Sequence, residues 1–218
     1  MAEMRTEEEQ VEALKNWWKE NGKSLVLGIA AALAIVFGYK GWQGQQQAEA
    51  ENAAVLYQNL VQAVAIASAP QATDEQRATA THLVGSLKED YSDSAYARFA
   101  AMLGARLAVD KGDYDSAVTE LDWVLANSPD AVMKVVASMR KARVVAAQGD
   151  TAAALALLNG LSEKSFQVSL EELKGDLHLQ AGDRAQARTS YQQAVDLATD
   201  GARPVLQMKL DNLAVEEE

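Results

Sequence analysis

Apart from its carboxylates, this chain has few residues of a type that does acid/base or metal chemistry. Its 218 residues hold two histidines, His82 and His178, and no cysteine. Neither histidine stands beside a recognisable nucleophile or metal ligand, so there is no basis for nucleophilic catalysis or for a zinc site. The carboxylate pairs Glu171-Glu172 and Asp113/Asp115 have the residue types of an acid/base couple. In a chain with 31 Asp and Glu such pairs arise on solvated faces without a chemical role. Gly-Asp pairs recur at 112, 149 and 182, but no phosphate-cradling glycine loop surrounds them, and they read as turns between helices. No catalytic residue, cofactor site or metal site is expected, and the chain reads as a non-enzyme. What remains is chemistry suited to binding. Met102 and Arg106 recur as Met139 and Arg143 at the same separation. Thioethers adapt to varied apolar side chains, while guanidinium groups hold carboxylates or carbonyls.

Composition says which elements must carry these residues. The chain is 49% apolar, has only three prolines, and is rich in Ala, Leu, Gln and Glu, which predicts an all-α fold. The formal charge is −11; from Gln43 onward, 15 basic and 25 acidic residues leave −10. Such a surface is a poor partner for nucleic acid. The absence of cysteine excludes a disulfide framework.

Near the start, "NWWKENGKSLVLGIAAALAIVFGYKGW" (16–42) places 16 uncharged residues between Lys23 and Lys40. A spanning helix needs about 20 residues for roughly 30 Å of hydrocarbon. The two lysines close the difference by laying their stems along the helix while Tyr39 and Trp42 sit at headgroup level. A transmembrane helix over 24–42 is predicted. A cleavable signal is less suited, because the nearest small-x-small site, "AEA" at 48–50, lies beyond a polar stretch. Before the span, Thr6 with Glu9 predicts a capping box, and Asn21-Gly22 a stop, bounding a short helix over 7–20. Val11, Leu14, Trp17 and Trp18 share one side of it, which suits the headgroup layer. Within the span, Ala30, Ala34 and Gly38 form a small-residue stripe able to pack on another helix.

Beyond the membrane the sequence repeats. "KGDYDSAVTELDWVLANSP", "QGDTAAALALLNGLSEK" and "AGDRAQARTSYQQAVDLAT" align on the Gly-Asp pairs. Four residues after each Asp comes Ala117, Ala154 or Ala187, and four further on Leu121, Leu158 or Tyr191. Twelve before each alanine lies Ala105, Ala142 or Gly175. This is the tetratricopeptide pattern of helix pairs closed by small residues. Departures are Ala101, Ser138 and Glu171 at the large first-helix positions, and Asn159-Gly160, which shortens one second helix. Pro129 closes the first unit.

The expected organisation is a cytoplasmic amphipathic segment (1–23), the span (24–42), a linker helix with N-terminal capping helices (43–97), and repeats with a C-terminal cap (98–218). In the linker helix, about 48–67, Val55, Leu60, Val61 and Val64 are the buried candidates; another helix follows at about 74–88. "PVLQMKLDNLAV" supplies the terminal cap, and "EEE" a solvated tail. In tetratricopeptide geometry the first helices line a concave surface, which places Met102, Arg106, Met139, Arg143, Glu172 and Asp176 there.

The segment "EEQVEALKNWWKENGKSLVLGI", the single span, the "GD" repeats and the closing "QMKLDNLA" together resemble the YfgM family, the ancillary subunits of the SecYEG translocon. The resemblance implies an inner-membrane protein with a periplasmic repeat domain, found with SecYEG and a PpiD-like periplasmic chaperone. It implies help in handing unfolded client polypeptides to chaperones, and a link to the RcsB stress regulator. The alternative is a regulatory tether that binds one signalling protein and has no part in secretion.

Orientation follows from charge. Lys15, Lys19 and Lys23 precede the span, and after Lys40 no basic residue appears before Arg77. A reporter fused after Glu218 should therefore be active only outside the cytoplasm. Activity of a cytoplasm-only reporter there would overturn the orientation, and a mature product beginning near Glu51 would overturn the anchor.

Overall fold

The computed structural model describes residues 7–128, 130–198 and 203–215, and among them every regular element is helical. The chain divides into two units, through Glu51 and from Asn52.

The first helix, α1, runs over Glu7–Ala67 without a break, so neither the expected stop at Asn21-Gly22 nor the polar stretch after Gly44 interrupts it. An internal glycine costs only about 1 kcal/mol against alanine, and no proline removes a hydrogen bond. Locally, Asn21 donates its side-chain amide to the Trp17 carbonyl at 3.1 Å. The polar stretch is tied by Gln45 to Glu49 and Gln47 to Glu51, each one turn on. The Thr6/Glu9 capping box, Pro129 and the final "EEE" lie outside the described residues. The apolar part of α1 is long enough to cross a membrane, and only 6% of its most apolar window is buried. A core helix of a water-soluble fold would be mostly covered.

From Asn52 the chain builds a stack of helix pairs. The end of α1 shares a buried cluster with α2 (Asp74–Asp90) and the helix after it. Thr73 caps α2 in a capping box with Gln76. The buried face of α1 is Ala53, Leu60, Val64 and Ala67, with Leu56 and Tyr57 against it. Leu60 and Val64 are thus core as expected, but Val55 is 58% exposed and Val61 45%. At 100° per residue, Val55 points about 140° away from Leu60, and the core has room for one stripe only.

Three pairs follow, α3 (Ala95–Asp110) with α4 (Tyr114–Asn127), α5 (Ala131–Ala147) with α6 (Thr151–Leu157), and α7 (Gln167–Gln180) with α8 (Arg184–Leu197). The cap α9 (Pro204–Val215) closes the stack through Leu206, Leu210 and Leu213. Each Gly-Asp pair does two jobs at its turn. Gly112, Gly149 and Gly182 have φ of 73°, 99° and 82°, a region that strains any residue with a Cβ. The aspartate N–H groups then reach back to the carbonyls of Ala108, Val145 and His178. Their carboxylates accept the N–H groups of Ser116, Ala153 and Gln186, capping the next helix. Helix α6 is only seven residues long and ends before Gly160, φ 79°, as Asn159-Gly160 predicts.

Where paired helices touch, Ala117, Ala154 and Ala187 are fully buried, and Leu121, Leu158 and Tyr191 are nearly so. The partner sixteen residues earlier is small each time, and smallest where the large residue is largest. A Cβ placed on Gly175 would come within 2.4 Å of the Tyr191 ring, closer than real contacts allow.

Gly175→Ala should therefore lower stability by roughly 1–3 kcal/mol, because an added methyl overpacks a rigid ring against backbone. Gly85→Ala, mid-helix in α2 with nothing within 4 Å of the new methyl, should instead stabilise by about 0.4–1 kcal/mol. Thermal melting of the detergent-solubilised chain reads both. Equal melting temperatures for the two variants would mean that the repeat contact at Gly175 is misassigned.

Candidate functional site

Residues at helical spacing on α3 and α5 border a common hollow. On α3 the stripe runs Phe99, Met102, Arg106, Val109; on α5 it runs Val136, Arg140, Arg143, Ala147. Between them lies a cavity of about 370 Å³. Met102, Ala105 and Val109 of α3 form one wall, and Val144 and Ala147 of α5 the other. Tyr114 and Leu121 of α4 also line it. Three guanidinium groups, Arg106, Arg140 and Arg143, belong to the same cavity.

Of the residues expected on this face, Met102, Arg106 and Arg143 come together here. Met102 is only 6% exposed, whereas Arg106 is 62% exposed at its side chain. Met139 does not take part. It is 5% exposed and packed with Ala154, Leu158, Leu170 and Leu173, filling space between α5, α6 and α7. The position facing the cavity on α5 is its neighbour Arg140, a turn of one residue relative to α3. Arg140 was not anticipated; its i, i+3 relation to Arg143 on a helix was the available signal.

Glu172 and Asp176 do not join the cavity either, because a lysine from the cap occupies them. Lys209 of α9 donates to Glu172 at 2.8 Å and to Asp176 at 2.7 Å. The Tyr191 hydroxyl donates to the same Asp176 carboxylate at 2.7 Å, and Lys209 lies 5.7 Å from the Tyr191 ring centre. Burial alone would lower the Lys209 ammonium, but the two carboxylates outweigh it and hold its pKa above the ordinary 10.5. Burial, and then the Asp176 hydrogen bond, push the Tyr191 phenol far up.

The residues with enzyme-like types have structural positions. Asp113 caps α4, and its carboxyl is held below the usual range by the Ser116 hydroxyl and N–H. Asp115 accepts the Gln148 side-chain amide at 2.7 Å, and Glu171 pairs with Lys174. His82 is exposed on α2 and His178 half-buried on α7. Among the described residues no group of three His, Cys, Asp or Glu could hold a metal ion. On α1, Ala30, Ala34 and Gly38 are uncovered, as are Val11, Leu14, Trp17 and Trp18. Trp18 lies over Gly22, its ring 3.1 Å from where a Cβ would stand.

The chain is similar to known proteins over nearly all its length. Residues 15–215 match the family described as a tetratricopeptide repeat-like domain. An ancillary SecYEG translocon subunit of Neisseria gonorrhoeae is 32% identical over 216 residues, 98% of this chain and 100% of the relative. The protein of that name from Haemophilus influenzae is 30% identical over 98% of this chain and 100% of its own. That from Escherichia coli is 28% identical over 96% and 97%. Among solved structures, a tetratricopeptide repeat protein from Parabacteroides merdae aligns with a TM-score of 0.50 at 17% identity. That alignment covers 74% of this chain and 57% of the other, and it speaks to the fold alone.

The Lys209 cluster yields a pH-dependent expectation. Lys209→Met removes two charge-assisted hydrogen bonds and leaves Glu172 and Asp176 facing each other, which should cost on the order of 1–3 kcal/mol at pH 7. A pKa raised in the folded chain means that this stabilisation is complete below the ordinary 10.5 and is lost as pH rises through the higher folded value. The melting-temperature gap between wild type and variant should close in that range. A gap of the same size at pH 7 and in strong alkali would contradict the assignment.

Proposed function

The chain belongs to the family of ancillary SecYEG translocon subunits, built on a tetratricopeptide repeat-like domain, and from that membership we propose that it is a membrane-anchored scaffold working beside the SecYEG translocon. Residues 24–42 of α1 lie in the inner membrane, the lysine-bearing segment 1–23 faces the cytoplasm, and the repeats from 98 onward, with the capping helices at 43–97, work in the periplasm. There the concave face receives unfolded polypeptide leaving the channel and passes it to a PpiD-like periplasmic chaperone. No covalent step is involved.

One observation carries this reading: an uncovered apolar helix and a repeat unit with an apolar-walled cavity share a single chain that matches the ancillary subunits over nearly all its length. The anchor restricts the repeat unit to the membrane surface, where emerging chains are most concentrated. A short tether of that kind raises the local concentration of weak binding sites without any new contact. Adaptable apolar walls suit varied clients better than a shaped pocket would.

Gentle solubilisation of the full-length chain from its own membranes should recover the channel subunits together with a periplasmic chaperone. Channel subunits absent from the wild-type preparation would overturn the scaffold reading. Recovery with a cytoplasmic regulator such as RcsB alone would favour the regulatory tether.

A further inference from the structure

We infer that the cavity between α3, α4 and α5 is a docking site for an extended polypeptide segment in which carboxylate side chains adjoin aliphatic ones. The inference rests on the scaffold reading above and names the chemistry that the concave face selects.

Charge carries the argument. The chain has a net charge of −11, yet three guanidinium groups, Arg106, Arg140 and Arg143, meet at one apolar hollow. Among the described residues, Arg140 and Arg143 have no hydrogen bond or ion pair, and Arg106 only approaches Asp110, at 3.8 Å. Most other basic side chains of the repeat unit are engaged, as with Lys88 to Glu120, Lys141 to Asp122 and Lys209 to Asp176. The cavity arginines therefore keep their donors available. Guanidinium stays charged and is weakly hydrated, so it can sit beside apolar walls at modest cost and still pair with a carboxylate in two parallel hydrogen bonds. Next to those walls the pair is screened less than on open surface.

The apolar part sets the rest of the ligand. A hollow of about 370 Å³ falls within the range of binding clefts. The α3 stripe that runs through it and on to Phe99 covers ten helical steps from Phe99 to Val109, roughly 15 Å at the helical rise, which matches four or five residues of extended chain. At the Phe99 end the apolar surface continues into Tyr57 and Tyr96, whose ring centres are 5.4 Å apart, with Phe99 6.2 Å from Tyr57. An inorganic anion would satisfy the guanidinium groups and leave these walls wet. A neutral apolar segment would cover the walls and leave Arg140 and Arg143 without partners. A segment with both features satisfies both, and a basic one is repelled.

The test uses the full-length chain in a neutral detergent and a fluorescein-labelled decapeptide with a Leu-Val-Glu-Glu-Leu-Val core, compared with its Gln-Gln twin. Fluorescence anisotropy at low salt should show the acidic peptide bound at least tenfold more tightly. That preference should disappear in an Arg140→Gln, Arg143→Gln double variant and persist in Arg203→Gln, a cation remote from the cavity. Both cavity arginines are exposed, so the double variant should melt with the wild type. Equal binding of the two peptides, or an undiminished preference in the double variant, would overturn the assignment. So would full displacement of the peptide by millimolar inorganic phosphate or by phosphatidylglycerol vesicles, since the anion alone would then suffice. The translocon co-purification is read on the wild-type chain. Peptide failure with the channel recovered therefore rejects the cavity assignment only, whereas loss of the channel rejects the scaffold reading.

Discussion

The close approach of two helices at one small residue per pair is the contact on which the rest of the repeat unit depends. Ala105 beneath Leu121, Ala142 beneath Leu158 and Gly175 beneath Tyr191 each let a second helix lie close against its first. At the third pair the fit is so tight that even a methyl on Gly175 would stand 2.4 Å from the ring. Burying a leucine there contributes about 1.5–3 kcal/mol, but only if the backbones can come close enough to exclude water. The Gly-Asp turns serve the same geometry. A left-handed glycine ends one helix and an aspartate caps the next within two residues, so each second helix begins as soon as its first has ended.

Stacking then follows from incomplete burial. No pair can cover both faces by itself, and the buried clusters accordingly bridge neighbours: Leu107 of α3 packs with the first pair, Val144 of α5 with the α3/α4 pair, and Leu170 and Leu177 of α7 with α5 and α6. Polar ties run across the same joints. Lys88 of α2 reaches Glu120 of α4 at 2.8 Å, and Gln180 of α7 donates to the Ala146 carbonyl of α5 at 3.0 Å. The cap is fastened in the same way, with Lys209 held by two carboxylates while Tyr191, already buried by its packing, donates to one of them. The last pair is thereby closed, whereas at the α3/α5 cavity, among the described residues, Arg140 and Arg143 have no ion pair and Arg106 only approaches Asp110.

Function in the proposed reading comes from placing that joint on a membrane anchor. An apolar helix left uncovered in water is unstable on its own, and a bilayer is the solvent in which its exposure is favourable. In that reading, client chains meet a surface whose overall charge is repulsive to acidic segments and whose basic hollow between α3, α4 and α5 is attractive. Selection then depends on contact at short range and not on long-range steering.

Much was legible in the sequence because periodicity and turn chemistry are local. The Gly-Asp turns, the small and large residues sixteen apart, the shortened α6 and the apolar stretch of α1 each follow from residues within a turn or two of one another. Other expectations depended on rotation about a helix axis, which pattern specifies poorly. Val55 and Val61 are as apolar as Val64, yet the stack covers a single stripe of α1 and leaves them outside. The repeat register mapped Met102 onto Met139, but a rotation of about one residue between α3 and α5 buries Met139 and turns Arg140 toward the cavity. Glu172 and Asp176 were placed on the concave face by the same register. Their engagement with Lys209 could not be read locally, because the lysine lies more than thirty residues away and reaches them only when α9 closes the stack. The sequence by itself determined the repeat helices, their turns and their pairing, since those rest on neighbouring residues, but not the unbroken run of α1 through Asn21-Gly22. Which side chains share a surface was decided by the tertiary structure, because that depends on how each helix is rotated to bury the most apolar area against elements distant in the chain.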